Sequence, residues 1–276
     1  MIKHLLGIIA AIVFVALCTF LPFLPGEHDS LAITVSTMAQ VFGVVGLLLV
    51  PVGLLWIASD RSQRFAERRY GFALLAVITS SIVWAAVCLV ALMNSGYALG
   101  VFTVALWVYV VIKVWPGLKH KAERRSAVPS YMVAVPAVVA LLQFGFLERA
   151  VEFSRNRAIL NSAPLIADIE KYREANGRYP TSLLSVSKDY KPGVIGIAHY
   201  EYEPHGDGYN LLFEQFAYRF GTQEFVVYNP RDEQVMTVHD MDILQMTPSQ
   251  LALDRTRGHY AVNDTPHPHW KYFWFD

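Results

Sequence analysis

Five runs of about 20 apolar residues, each free of charge at its centre, limit this chain's fold more than any other feature. They lie at roughly Leu5–Leu24, Met38–Ala58, Tyr70–Met93, Tyr97–Pro116 and Pro129–Leu147. A helix needs about 20 apolar residues to cross the hydrocarbon core, and one charge at its centre costs about 2.5–3.5 kcal/mol. The runs predict an all-α membrane bundle of about five transmembrane helices over residues 1–147, with the lipid bilayer as a partner.

Charge divides the chain at the same place. Residues 1–147 hold ten Lys/Arg and five Asp/Glu, and residues 148–276 hold thirteen and eighteen, so a net charge of zero conceals +5 followed by −5. The second part has a soluble composition and no basic stripe, which argues against nucleic acid as a partner. Both cysteines, Cys18 and Cys88, fall in apolar runs, so residues 148–276 need no disulfide.

The connecting loops predict an orientation. Ser59–Arg69 carries Arg61, Arg64, Arg68 and Arg69, and Gly117–Val128 carries Lys119, Lys121, Arg124 and Arg125. The alternate loops, Pro25–Thr37 and Asn94–Gly96, carry no Lys or Arg. Basic loops stay cytoplasmic, so Lys3 falls on the cytoplasmic side and residues 148–276 on the periplasmic or extracellular side of an inner (plasma) membrane. Trp56, Tyr70, Trp115 and Tyr131 are expected at headgroup level, with Lys113 snorkelling to the same interface. Val15-Ala16-Leu17-Cys18 looks like a lipoprotein processing site, but Leu17 is too large for it, so the first run is expected to be retained.

Proton relays and ion paths need ionisable groups at membrane depth, and the run centres have none. The most polar spot, Thr79-Ser80-Ser81, reads as hydroxyls bonded back to their own helix, with a ligand site as the alternative. Pro51 and Pro136 are expected to kink their helices. Gly43 with Gly46, and Gly96 with Gly100, are candidates for close helix contact, with a turn role as the alternative for Gly96. The bundle reads as an anchor or scaffold, with small-molecule sensing or transport as the alternative.

Beyond Leu147 the chain reads as an α+β extracytoplasmic domain: a long helix packed on an antiparallel β-meander. Glu148–Asn176 is expected to be helical and continuous with the fifth run, with a break near Asn161–Ala163 where Ser162 caps and Pro164 opens a new first turn. Gly177 suits a left-handed C-cap. Ile197–Glu203 and Tyr209–Phe216 flank the turn cluster Pro204–Gly208 and predict a hairpin. Glu224–Tyr228 and Gln234–His239 flank Asn229-Pro230-Arg231-Asp232 and predict a second. A short helix is expected near Thr247–Ser249, and Trp270–Phe275 reads as a last strand or an aromatic lip at the membrane interface.

The run Tyr172-Arg173-Glu174-Ala175-Asn176-Gly177-Arg178-Tyr179-Pro180-Thr181, followed by Leu183 and Leu184, resembles the helix-end motif of type II secretion pseudopilins and type IV pilins. The resemblance covers about 30 residues closely and the hairpin through Phe213 more loosely. It implies a pilin-like α+β head carried on a membrane-anchored helix, with a protein partner for the head. In the motif Tyr172 and Tyr179 pack, Gly177 caps and Pro180 directs the chain toward the sheet.

His239, Asp240, Met241 and Asp242, and separately His259, His267 and His269, supply metal-ligand types without an evident tetrahedral frame. Glu201 and Glu203 lie on one strand face and read as solvated. Neither a nucleophile motif nor a phosphate loop is present. No metal, cofactor or catalytic residue is therefore assigned. The expected function is that of an integral inner-membrane protein displaying a pilin-like domain for protein–protein interaction or envelope assembly. The alternatives are a sensor or transporter built on the bundle, and an envelope enzyme.

Overall fold

The computed structural model describes residues 2–60, 69–95, 97–120, 126–186, 189–205, 208–216, 223–234 and 260–275. Helices α1 (Ile2–Phe20), α2 (Ser30–Val45), α3 (Leu49–Asp60), α4 (Arg69–Ser95), α5 (Tyr97–His120) and α6 (Val128–Asn176) precede strands β1 (Glu201–His205), β2 (Gly208–Phe216), β3 (Gln223–Tyr228), β4 (Tyr260–Asp264) and β5 (Trp270–Phe275). The chain divides into two compact units, residues 1–21 with 30–147 and residues 22–29 with 148–276.

The first unit is helical because apolar chain can satisfy its own backbone groups that way without water. Ile2–Phe23, Ser30–Ser59, Gly71–Met93 and Val128–Asn176 contain windows long and apolar enough to cross a membrane. Tyr97–Lys113 is apolar but shorter, within a helix that runs on to His120. The second run departs from expectation. It is already helical at Ser30, eight residues before Met38, although Ile33, Thr34, Val35 and Thr37 are β-branched. Burial of Ala32, Thr34 and Ser36 outweighs that weak local preference. A 3-10 turn at Gly46–Leu48 then separates α2 from α3. Pro51 accounts for the interruption, since it withdraws the N–H that would bond the Leu47 carbonyl. Helix α6 stays α-helical through Pro136.

Glycines set the close approaches. A Cβ on Gly43 would lie 2.0 Å from Gln143 Oε1, and one on Gly46 would lie 3.2 Å from the Pro136 Cβ. At Gly53 it would meet Val133 Cγ2 at 2.6 Å and the Pro129 carbonyl at 2.9 Å. The expected contact at Gly43 and Gly46 is therefore present and extends to Gly53. Gly100 meets the Leu92 side chain in the same way, while Gly96 lies outside the described residues. Trp56 corrects an expectation: it is 4% exposed and joins a core with Leu49, Val52, Ala73, Val83 and Met132 rather than facing headgroups. Tyr131 donates to the His4 carbonyl at 3.1 Å. Nothing is described of the Tyr70 or Trp115 side chains.

In the second unit, the part of α6 from Glu148 packs on the sheet. Ala158, Ile159, Leu165 and Ile169 share one core with Tyr200, Tyr209, Leu211, Phe213, Val226 and Trp270. The expected break at Asn161–Ala163 is absent, because α6 is continuous to Asn176. Pro164 is exposed, so its missing bond falls on the solvent side, and buried residues on both sides of it hold the helix in line. Ser162 does not cap; its hydroxyl donates back to the Ile159 carbonyl at 2.6 Å.

The sheet is antiparallel with order β1-β2-β3-β5-β4, so it is not a simple meander. The expected β1–β2 hairpin is present with shifted bounds: β1 begins at Glu201 rather than Ile197, and Pro204 and His205, expected in the turn, pair with Tyr209 and Gly208. In the second expected hairpin, β3 pairs with β2 and β5, and residues 235–239 of the strand expected beside it lie outside the described residues. Trp270–Phe275 is an interior strand, since a register that buries Trp270 and Phe273 outweighs an interfacial position. Residues 235–259, including the helix expected near Thr247, lie outside the described residues.

At the end of α6 the expected Gly177 cap is present. Gly177 has φ +71° and donates its N–H to the Arg173 carbonyl at 2.8 Å. A Cβ there would meet nothing within 4 Å, so the cost of a side chain is conformational alone. Gly177→Ala is expected to lower stability by about 1 kcal/mol. Gly145→Ala, in a helical position that is also open around the Cβ, is expected to raise it by about 0.5–1 kcal/mol. Thermal unfolding of the detergent-purified chain reads both, and the opposite signs are the check.

Candidate functional site

Among the described residues, three constellations in the second unit and one in the first gather polar chemistry. The most buried is built on Arg155 of α6 and Glu224 of β3, 7% and 0% exposed. The register puts Gln215, Glu224 and Trp274 in one row across β2, β3 and β5. Arg155 grips the carboxylate with both prongs, Nε to Oε1 at 2.7 Å and Nη2 to Oε2 at 2.9 Å. Gln215 Nε2 donates to Oε1 at 2.7 Å, and Trp274 Nε1 donates to Oε2 at 2.6 Å. Ser154 donates to Gln215 Oε1, and the guanidinium lies 3.7 Å from the centroid of the Tyr272 ring. Four donors thus occupy the two oxygens of Glu224. A carboxylate so saturated has no lone pair left for a substrate proton or a cation, and its chemistry is that of a lock.

The second constellation ties the helix-end motif to the sheet. Glu170 accepts the Tyr179 hydroxyl at 3.2 Å and the Tyr209 hydroxyl at 3.3 Å. Arg173 donates to the Tyr179 hydroxyl at 2.8 Å and stacks on its ring at 4.7 Å. Tyr179 and Tyr202 pack against Tyr209 with centroids 4.9 and 5.4 Å apart, and Tyr202 donates to the Pro180 carbonyl. Burial, helped by the negative charge of Glu170, pushes the Tyr202 phenol up to about 12 and the buried Tyr209 phenol higher still. Burial alone raises Tyr200, whose hydroxyl donates to the Ala158 carbonyl. A folded-state pKa above the unfolded value near 10 means that folding favours the neutral phenol. This stability is fully present below about pH 10 and is lost as pH rises toward about 12. The expected result is a cooperative loss of tertiary signal in that window, with phenolate absorbance rising together with unfolding.

The third is an open cleft of about 450 Å³ whose lining includes Leu165, Leu183, Val186, Tyr190 and Tyr200. Asp189 and His199 also line it, and Leu184 at its edge is 95% exposed. The Tyr190 hydroxyl is held by Asp168.

In the first unit, Gln143 of α6 donates to Thr19 Oγ1 at 3.3 Å and to the Ala39 carbonyl at 3.0 Å. Ser36 donates to the Thr19 carbonyl at 2.5 Å, and Gln40 donates to Ser36 Oγ at 3.2 Å. These groups are neutral, so the cluster joins helices without carrying charge. Its signal in the sequence is two glutamines, Gln40 and Gln143, inside apolar runs.

Thr79, Ser80 and Ser81 donate to the carbonyls of Leu75, Ala76 and Val77, all within their own helix. Lys113 Nζ lies 5.7 Å from the Tyr109 ring. His269 Nδ1 is 3.1 Å from Asp232 Oδ2 in a half-exposed pair, and the main chain of His267 bonds Thr265 in the β4–β5 turn. Glu201 is exposed and pairs with His199 at 3.5 Å. Glu203 is half-buried on the same strand. His239, Asp240, Met241, Asp242 and His259 lie outside the described residues. Among the described residues no group of three or more His, Cys, Asp or Glu is placed to hold a metal ion. Arg155 and Glu224 were not singled out by sequence, since each is an ordinary charge until the fold buries both.

No family model, curated protein or solved structure matches the chain.

Proposed function

We propose that this chain is a multi-pass inner-membrane protein that displays a pilin-like α+β head on the non-cytoplasmic face for protein contact or envelope assembly. The observation that carries the reading is that Pro22–Asp29, the loop between α1 and α2, belongs to the same compact unit as residues 148–276. If α1 crosses the bilayer, that loop lies across from Lys3. The head must lie with the loop, so the chain between Ser30 and Leu147 crosses an even number of times. The α2–α3 pair, α4, α5 and the first part of α6 supply four crossings. This parity requires α5 to cross. Its helix of 24 residues extends about 36 Å, enough for the bilayer, with Lys113 within reach of the interface. The basic loops at 61–69 and 117–125 then share the cytoplasmic face with Lys3, in agreement with the positive-inside rule.

The saturated Arg155–Glu224 network supports a contact role over a chemical one, and the exposed Leu184 beside the cleft offers the contact surface. A reporter enzyme active only outside the cytoplasm, fused after Asp276, is expected to be active, and one fused within 121–125 inactive. The reverse pattern sinks the reading.

A further inference from the structure

We propose that Pro22–Asp29 is a clasp, a remote segment that must dock on Gly193–Gly196 before the C-terminal unit closes. His28 and Ile195 are 167 residues apart in the chain, yet they are hydrogen-bonded. Four main-chain hydrogen bonds join the two segments: Gly26 N–H to Gly193, Asp29 N–H to Ile195, Ile195 N–H to Leu24 and Gly196 N–H to Pro22. Pro25 and Val194 face each other across an antiparallel bridge. Phe23 is 2% exposed and stacks on Phe216 with centroids 5.9 Å apart.

The receiving segment is shaped for this occupant. A Cβ on Gly196 would lie 2.7 Å from the Pro22 carbonyl oxygen, and one on Gly26 would lie 2.7 Å from Ile195 Cγ1. Gly193 has φ +68°, and a side chain there would meet Asn161 Nδ2 at 2.7 Å. Asn161 donates to the Pro192 carbonyl at 2.6 Å, which anchors the receiving segment to α6. Without the clasp, Gly193, Ile195 and Gly196 lose these main-chain partners, and Phe216 loses the Phe23 ring stacked on it. Unpaired backbone and bare apolar surface both favour opening.

The clasp is covalently continuous with α1 and α2. It therefore makes closure of the head conditional on a segment synthesised long before it. On the display reading, a chain with α1 inserted the wrong way round leaves the head open, so the clasp also reports insertion. That second consequence rests on the proposed function, whereas the clasp itself does not.

The test uses the full chain in membranes, with Cys18→Ser and Cys88→Ser. Flanking hydrogen bonds make Pro25 and Val194 a non-hydrogen-bonded pair, whose Cα atoms lie about 4.5 Å apart, within disulfide reach. Pro25→Cys with Val194→Cys is expected to cross-link under mild oxidation, and neither single variant should. Replacing Pro22–Asp29 by eight Gly and Ser residues is expected to speed proteolysis within residues 148–276 by at least about tenfold. Absence of the cross-link, or unchanged proteolysis of the replacement, overturns the clasp. A membrane-impermeant maleimide applied to Pro25→Cys alone separates the two ideas. If the cross-link forms but outside reagent cannot reach position 25, the clasp stands and the display reading fails.

Discussion

Glu224→Ala is expected to destabilise the C-terminal unit by about 3–5 kcal/mol, because it leaves the Arg155 guanidinium buried without its carboxylate. The cost is mostly the stranded charge, with Gln215 Nε2 and Trp274 Nε1 losing an acceptor as well. Arg155→Met should cost a similar amount by stranding Glu224 instead. The pair Arg155→Met with Glu224→Leu is expected to recover most of the loss, since apolar groups of similar volume often replace a buried ion pair at little or no net cost. Chemical denaturation followed by tryptophan fluorescence closes this double-mutant cycle. A double variant no better than the worse single one would show that the row across β2, β3 and β5 needs the charges for its register.

The second large effect lies in the helical unit. Gly53→Leu is expected to force α3 from α6, because a bare Cβ at position 53 already meets Val133 at 2.6 Å, Pro129 O at 2.9 Å and Met132 Cβ at 3.2 Å. Overpacking of this kind costs about 1–3 kcal/mol, and here two of the three neighbours are atoms at or next to the backbone, which cannot swing aside. Gly71, with nothing within 4 Å of its Cβ position, is the control, and Gly71→Leu should be tolerated. Detergent-resistant folded protein, measured by size-exclusion recovery after heating, separates the two. Equal recovery of both variants would mean that α3 and α6 do not rely on close approach at Gly53.

The sequence carried these features to different degrees, and the physical reason is range. Apolar length, the β1–β2 turn and the Gly177 cap are set by neighbours in sequence, and each is readable there; at Gly43 and Gly46 only the small residues are readable, since their partners Gln143 and Pro136 are remote in the chain. Trp56 was misplaced because an aromatic near a helix end has the same local signature whether it faces headgroups or a core. Pro164 reads as a break only if packing on either side is left out of account. The sheet order was hidden because β5 reaches its place beside β3 after an excursion of more than 40 residues. The candidate site was the least legible part. Arg155 and Glu224 are 69 residues apart, and neither stands out until the fold brings them together. The same holds for Pro22–Asp29, which reads as an ordinary loop and is paired with Gly193–Gly196.

The α+β unit and the basic loops are expected on opposite faces of a membrane. In a Cys18→Ser, Cys88→Ser chain, Leu184→Cys places a thiol at a position 95% exposed in the C-terminal unit, and Ser126→Cys places one beside the second basic loop. Intact cells treated with a membrane-impermeant maleimide should label Leu184→Cys at once and Ser126→Cys only after permeabilisation. Labelling of Ser126→Cys in intact cells, or protection of Leu184→Cys until lysis, would rule out this orientation.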